Sequence, residues 1–222
     1  FNDEVDFDKD WLEDARRYYS NIVGKYGAQV QAALKKLGGL DIATICPLHG
    51  PVWRSDLGYL LGKYDLWSRY EPEDKAVAIC YASMYGNTEN AANLLANGLA
   101  EAGVKNIAVY DVSSTHVSTL ISEVFRCSHI VLACPTYNNS IYPAMYNFIH
   151  DMEALLVQNR TVGIIQNGTW NPASGKLIQA ELESMKNITL LEPVVTVKSS
   201  LKEDSKAQLD ALKDAIVESL KG

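Results

Sequence analysis

The segment "AVAICYASMYGNT", residues 76–88, decides the fold. Its first seven residues are apolar on consecutive positions rather than on every second one, which indicates a strand buried on both faces, as in a parallel sheet. Its last six residues include Ser83, Gly86, Asn87 and Thr88 and lead into a helical pattern. The segment therefore predicts a buried strand, a turn and a helix, which is the opening of a strand–helix–strand unit.

The same alternation of apolar runs and amphipathic segments continues to the C-terminus. Further strands are predicted at 107–110, 130–134, 162–165 and 194–197, and helices at 91–102, 117–125, 145–152 and 209–220. Gly103 is placed to end the first helix and Pro143 to begin the third. Right-handed crossovers between these elements predict an α/β fold, a doubly wound parallel five-stranded sheet in the order 2-1-3-4-5, over residues 75–222.

Residues 1–74 follow a different pattern. After an acidic opening they predict helices around Tyr18, over 30–37 and over 57–67, with one strand at 42–46. One strand and three helices make a poor independent core, so this region is interpreted as a piece of something larger. The polar segment 69–75, "RYEPEDK", is the predicted junction between the two parts.

Composition narrows the classes of function. A net charge of -7 and the absence of Lys and Arg clusters exclude a nucleic-acid partner. No apolar stretch approaches the roughly 18 residues that a membrane span needs, so no membrane partner is expected. The four cysteines form no CxxC pair and are interpreted as reduced core thiols, which predicts a cytoplasmic protein.

The turn after the first strand is predicted to bind a phosphate. Backbone N–H groups and the positive end of the helix dipole meet there without any cationic side chain. A P-loop would need a lysine and a dinucleotide fingerprint would need three glycines, so neither fits this turn. A phosphoacceptor receiver domain would need an aspartate at the end of its third strand, and here that strand ends in "LACPTYNN". The candidate phosphate-binding residues are Ser83, Met84, Tyr85, Gly86, Asn87 and Thr88.

Two further turns are predicted at the same edge, because the carboxyl ends of strands 1, 3 and 4 are neighbours in this sheet order. They supply backbone amides, small polar groups and two aromatic rings, which suit a flat fused ring with polar groups at its rim. Their residues are Pro135, Thr136, Tyr137, Asn138 and Asn139, then Asn167, Gly168, Thr169 and Trp170. Together with the phosphate-binding turn they predict a flavin mononucleotide (FMN) site.

Three motifs carry a resemblance to a known family. "YASMYGNTENAANLLANGLAEAG", "ACPTYNNSIYP" and "IIQNGTWNPASGK" resemble the flavodoxin-like domain of flavodiiron proteins, also called A-type flavoproteins. "YYSNIVGKYG" and "ICPLHGPVWRSDLGYLLGKYDLWSRY" resemble the end of that family's metallo-β-lactamase-like domain, so the likeness covers nearly the whole chain. The resemblance implies that residues 1–74 are the C-terminal part of that domain, which is incomplete here and mostly helical. It also implies that residues 75–222 form a flavodoxin-like domain that binds FMN.

One histidine is implied as a metal ligand by this resemblance. The segment "PLHGP" places His49 where the family has the last histidine of its diiron centre, whereas His116, His129 and His150 are expected to be structural or surface residues. An iron pair needs several imidazole and carboxylate ligands, and no HxExDH-type motif precedes His49. The chain is therefore expected to be a C-terminal fragment that binds metal at His49 only together with the missing N-terminal ligands.

The resemblance also implies a function. In the full-length protein the flavin would pass electrons to the diiron site, which would reduce dioxygen to water or nitric oxide to nitrous oxide, with no catalytic residue in this chain. A rubredoxin-like electron donor and a head-to-tail homodimer are implied as partners. One alternative is a stand-alone flavodoxin-type electron carrier whose helical extension serves dimerisation, and another is a scaffold without cofactor.

Overall fold

The computed structural model describes every residue from Phe1 to Gly222. Its strands are β1 (Asp74–Tyr81), β2 (Ile107–Asp111), β3 (Cys127–Tyr137), β4 (Ser140–Ile141), β5 (Arg160–Asn167), β6 (Ile188–Leu190) and β7 (Val195–Val197). Its α-helices are α1 (Phe7–Asp10), α2 (Leu12–Tyr18), α3 (Gly27–Leu37), α4 (Leu57–Ser68), α5 (Asn87–Glu101), α6 (Val117–Arg126), α7 (Pro143–Ala154), α8 (Ser174–Leu182) and α9 (Glu203–Lys221). None of the helices combines the length and apolar character that a membrane crossing requires.

The sheet confirms the predicted order. β2, β1, β3 and β5 lie side by side and parallel, and β6 and β7 both pair with β5 on its outer side. The fifth strand is therefore split, because β6 pairs with the first three residues of β5 and β7 pairs with its last three. Residues 191–194 leave the sheet between the two pieces.

Alternate residues of β1 enter two different cores, as expected of a doubly wound sheet. Ala76, Ala78 and Cys80 face α6, α7 and α8, whereas Val77 and Ile79 face α5 and α9. Both faces of the strand are buried, which explains why its apolar residues are consecutive. The interpretation of Ala76 to Ala82 as a buried parallel strand is confirmed.

Residues 1–73 pack on the outside of α6 rather than around a core of their own. Tyr19 and Trp67 are completely buried and lie in the same apolar core as Phe125 of α6. The strand predicted at 42–46 is wrong, because this run forms only one isolated bridge, between Ile45 and Trp53. Tyr19 and Trp67 are therefore buried against α6, whereas Trp53 is buried within residues 1–73, between Phe7 and Tyr59.

Three of the four cysteines are buried core thiols, as expected. Cys80, Cys127 and Cys134 lie in the central strands, and burial raises the pKa of Cys127 and of Cys134 to about 12. Cys46 is the exception, because it is exposed in the segment before His49. The prediction of a core thiol is therefore wrong for Cys46.

Candidate functional site

The three predicted turns meet at the carboxyl edge of the sheet and enclose a cavity of about 520 Å³. This volume lies within the roughly 300–1,000 Å³ of typical small-molecule sites. The cavity is lined by Ser83, Met84, Tyr85, Asn87, Thr88, Pro135, Thr136, Asn138, Asn139, Asn167, Gly168, Thr169, Trp170, Asn171 and Ser199, none of which carries a charge. Two predicted residues, Gly86 and Tyr137, are outside this lining, and two unpredicted ones, Asn171 and Ser199, are in it.

The turn before α5 has the properties of an anion site. Gly86 precedes the helix in a left-handed conformation, with φ 81° and ψ -11°, so that the next three N–H groups point out of the end of the helix. The backbone N–H groups of residues 83–89 donate to no oxygen of the chain. The hydroxyl of Ser83 is also buried and has no hydrogen-bond partner. A buried hydroxyl is rarely left unpaired, so this orphaned group fits a bound oxyanion.

The second turn is a β-hairpin rather than an open loop. β3 continues through Pro135 and Thr136 to Tyr137, and the chain then reverses into β4, with Tyr137 paired to Ser140. Asn138 and Asn139 occupy the two turn positions with φ of 49° and 57°. Two consecutive left-handed residues form the tight type I′ turn that matches the twist of a hairpin. The prediction that the third strand ends at Cys134 is therefore wrong by three residues.

The third turn is held by two close contacts. The N–H of Gly168 donates to the carbonyl of Val197 at 3.0 Å. A Cβ atom on Gly168 would lie 2.8 Å from the Cα of Pro172, so only glycine fits this approach. The turn is thereby drawn back over the end of β7, and Thr169 and Trp170 stand at the rim of the cavity.

Thr136 connects the second turn to the third. Its hydroxyl oxygen accepts the N–H groups of Ala173 and Ser174, at 2.9 and 3.1 Å, where α8 begins. The Ser174 hydroxyl in turn donates to the carbonyl of Cys134 at 2.9 Å. Thr136 therefore caps α8, a helix that the sequence did not predict. The cap itself lies 37 residues away in the chain from the helix start, so no local pattern shows it.

The aromatic side chains at the site are strongly exposed. Trp170 is 95% exposed and Tyr85 is 88% exposed, and both line the cavity. Tyr137 turns away from the cavity and packs edge-to-face on Tyr142, with ring centroids 5.8 Å apart. Of the two rings expected to stack on a ligand, Trp170 therefore lines the cavity and Tyr137 does not.

His49 has no group of potential metal ligands around it. No three His, Cys, Asp or Glu side chains of residues 1–222 come together as a metal site. The His49 ring is exposed and its closest aromatic neighbour is Tyr18, with centroids 5.3 Å apart. His49 does line an apolar groove of about 450 Å³ with Trp11, Tyr18 and Leu48. These residues do not fit an iron pair.

Comparisons with known proteins agree with this geometry. Residues 79–211 match the flavodoxin family. The chain is 28% identical over 200 residues to a nitric oxide reductase of Moorella thermoacetica and 30% identical over 186 residues to an anaerobic nitric oxide reductase flavorubredoxin of Aeromonas hydrophila. The matched regions cover 89% and 82% of this chain, but only 49% and 37% of those two proteins. The chain thus spans half or less of the length of these relatives.

Solved structures extend the likeness to residues 1–74. The rubredoxin oxygen:oxidoreductase of Desulfovibrio gigas superposes with a TM-score of 0.89 and 28% identity, over 100% of this chain and 55% of that one. The flavodiiron protein of Giardia intestinalis superposes with a TM-score of 0.82 at 24% identity, which is evidence for the fold alone. The resemblance to flavodiiron proteins predicted from the motifs is confirmed, and the superposition extends over the whole chain.

Proposed function

The chain belongs to the flavodoxin family, and on this premise we propose that the cavity at the carboxyl edge of its sheet binds FMN and that the chain carries electrons as part of a flavodiiron oxidoreductase. The observation that carries the proposal is the orphaned hydroxyl of Ser83 beside a row of free backbone N–H groups. These donors suit a phosphomonoester and need no lysine or arginine.

The residues divide between the two ends of such a ligand. The turn from Ser83 to Thr88 would hold the phosphate, and the hairpin at Asn138 and the turn at Gly168 would offer amides to the rim of the ring. FMN, when bound, exchanges electrons one or two at a time. The chain binds and orients it, and the exposed indole of Trp170 provides a flat apolar face at the mouth of the cavity.

The activity of the complete protein is proposed from its relatives. The names of the matched proteins support reduction of nitric oxide or dioxygen, with a rubredoxin-like donor as electron source. In this proposal residues 1–74 belong to a metallo-β-lactamase-like diiron domain and residues 75–222 to the FMN domain, in a head-to-tail homodimer. No step is assigned to iron here, because the residues of this chain do not fit a diiron centre.

A stand-alone carrier with a helical dimerisation extension is not favoured. The Desulfovibrio structure matches all of this chain, including residues 1–74, and not only the sheet. These residues also share their core with α6, so they are an integral layer of the protein rather than an appendage.

The proposal is tested by titrating the purified chain with FMN and following the quenching of flavin fluorescence. We expect stoichiometric binding with a Kd below about 1 μM, since the site offers many donors to a dianion. A chain that folds but binds no FMN would refute the proposal. Consumption of nitric oxide and dioxygen by the complete reduced protein would then distinguish the two substrates.

A further inference from the structure

Asn167 has an unexpected place in the site. It is the last residue of β5 and only 7% exposed, although the sequence predicted it as a ligand-binding side chain. Its Oδ1 accepts the N–H of Ser199 at 3.1 Å, and its Nδ2 donates to the carbonyl of Ser199 at 3.1 Å and to Oγ1 of Thr88 at 3.3 Å. The amide is therefore occupied inside the protein and connects β5 to α5 and to the end of β7.

The orientation of this amide determines the orientation of the Thr88 hydroxyl. The N–H of Ser199 requires an oxygen opposite it, so the NH2 group of Asn167 must face Thr88. The Thr88 oxygen accepts that N–H, and its own O–H donates to no atom of the chain. Thr88 is 2% exposed and lines the cavity at the first turn of α5, beside the free backbone N–H groups.

We propose that Asn167 is a positioning residue that presents the Thr88 O–H as a donor to the ligand's phosphate and so makes the site selective for FMN over riboflavin. The inference rests on the proposed FMN site. A hydroxyl that is already an acceptor from one side offers its proton to the other side, and a donor aimed at a charged oxyanion forms a stronger bond than one aimed at a neutral group.

Asn167→Asp is the decisive variant. The carboxylate keeps the side-chain volume and still accepts the N–H of Ser199. Its second oxygen faces Thr88 and can only accept, so the bond to the Ser199 carbonyl is lost as well. The Thr88 proton then turns towards the introduced carboxylate and away from the cavity. We expect the ratio of the riboflavin Kd to the FMN Kd to fall by about tenfold or more, with the riboflavin Kd nearly unchanged.

Two kinds of control separate orientation from charge. Asn171→Asp adds the same charge to the lining of the same cavity, where no hydrogen bond joins that side chain to Thr88, and should lower the ratio less. Thr88→Val should lower the ratio about as far as Asn167→Asp, whereas Thr88→Ser should retain it. In the Thr88→Val background, Asn167→Asp should lower the ratio of the riboflavin Kd to the FMN Kd by no more than Asn171→Asp lowers it.

The outcomes are distinguishable. Equal weakening of FMN and riboflavin by Asn167→Asp would show a purely structural role, and an equal loss in Asn171→Asp would show an effect of charge alone. Either result overturns the inference, while a wild-type chain that binds neither flavin would instead refute the proposed function. If Asn167→Asp does not fold, the Thr88 pair decides, because equal ratios for Thr88→Val and Thr88→Ser would also overturn it.

Discussion

Gly86 joins β1 to α5 in a backbone conformation that other residues avoid. Its φ is 81°, and a Cβ atom there would meet no other atom within 4 Å. The need for glycine therefore comes from the backbone conformation, and not from crowding within the protein. Around this turn the seven consecutive N–H groups of residues 83–89 are free, in part because the first N–H groups of a helix have no partner within it.

Gly86→Val should abolish most of the affinity for FMN. The substitution strains the left-handed turn by roughly 1–2 kcal/mol and places two methyl groups beside the phosphate site. Fluorescence titration should show a rise in the Kd of more than about tenfold. Gly103→Val is the matched control, because Gly103 has φ 90° and the same open surroundings at the other end of α5. It should lower stability by a similar amount and leave FMN binding intact, and equal affinity in the two variants would mean that the turn is misassigned.

His129 makes the stability of the protein depend on pH. Burial, with a smaller effect of the Lys75 charge, lowers the pKa of His129 to about 4, and its two ring nitrogens lie 2.8 and 3.1 Å from the hydroxyls of Ser128 and Ser219. Between this value and the ordinary pKa near 6.5, the unfolded chain binds more protons than the folded one. The stability is therefore fully present above about pH 7 and falls as the pH is lowered through this window.

Urea unfolding at pH 7.5 and 5.5 measures this effect. We expect the imidazole of His129 to account for a loss of about 1 kcal/mol in the free energy of unfolding between the two pH values. His129→Gln can keep hydrogen bonds to both serines and should remove that part of the loss. His150→Gln, which replaces an exposed imidazole on α7, is the comparison variant. A wild-type slope in His129→Gln would contradict the assignment.

At the scale of elements, the hairpin between β3 and β4 is the part of the site that depends most on one turn type. Its two turn residues, Asn138 and Asn139, both have positive φ and both line the cavity. The turn sets where the chain leaves the central strand, and Thr136 then ties the same segment to the start of α8. The two turns proposed to hold the ring are therefore positioned relative to each other by one helix cap.

Asn139→Val should open this hairpin, whereas Asn139→Gly should preserve it. A β-branched residue at positive φ costs roughly 1–2 kcal/mol, while glycine adopts the turn freely. We expect weaker FMN binding in Asn139→Val and near wild-type binding in Asn139→Gly, measured by titration. Asn187→Val is the control, since Asn187 has φ 54° just before β6, at the opposite edge of the sheet. Loss of binding in Asn139→Gly would show instead that the amide side chain itself is needed.

At the scale of the whole molecule, a buried charge cluster attaches α2 to α6 and to Glu73, the residue before β1. Arg16 of α2 lies 3.4 Å from Glu73 and 3.6 Å from Glu123 of α6, and all three side chains are less than 10% exposed. Burial by itself would raise the pKa of Glu123, but the hydrogen bond and charge of Arg126, with the charge of Arg16, outweigh it and lower the pKa. Glu73 is also bound by Lys63 and by the Trp67 indole.

Arg16→Met should destabilise the chain by about 2 kcal/mol. Removing one cation from a buried cluster leaves its carboxylates less well paired, although each of them keeps a second cation. Arg54→Met is the matched control, because Arg54 pairs with Asp3 and Glu4 while 41% exposed, and an exposed pair contributes at most about 1 kcal/mol. Thermal or urea unfolding compares the two variants, and equal losses would show that the buried cluster is no more important than the surface one.

The sequence by itself determined the order of the strands and most of the residues that line the site. Consecutive apolar residues such as Ala76 to Ala82 indicate strands buried on both faces, and parallel strands must bring the turns that follow them to one edge. These are local patterns with one geometric outcome, and the structure confirms the strand order from them. The turn proposed to bind the phosphate could also be predicted from the sequence, because the residues that form it are adjacent in the chain.

Only the tertiary structure decided how the remaining groups are used. The cap on α8 comes from Thr136, and the partners of Asn167 are 79 and 32 residues away, so no local pattern could show that these polar side chains serve the protein rather than the ligand. Tyr137 likewise turns to Tyr142, and Ser199 reaches the cavity because the amide of Asn167 holds it there. A side chain's hydrogen-bonding capacity follows from its residue type, but its partner depends on the tertiary packing, which brings together residues far apart in the chain.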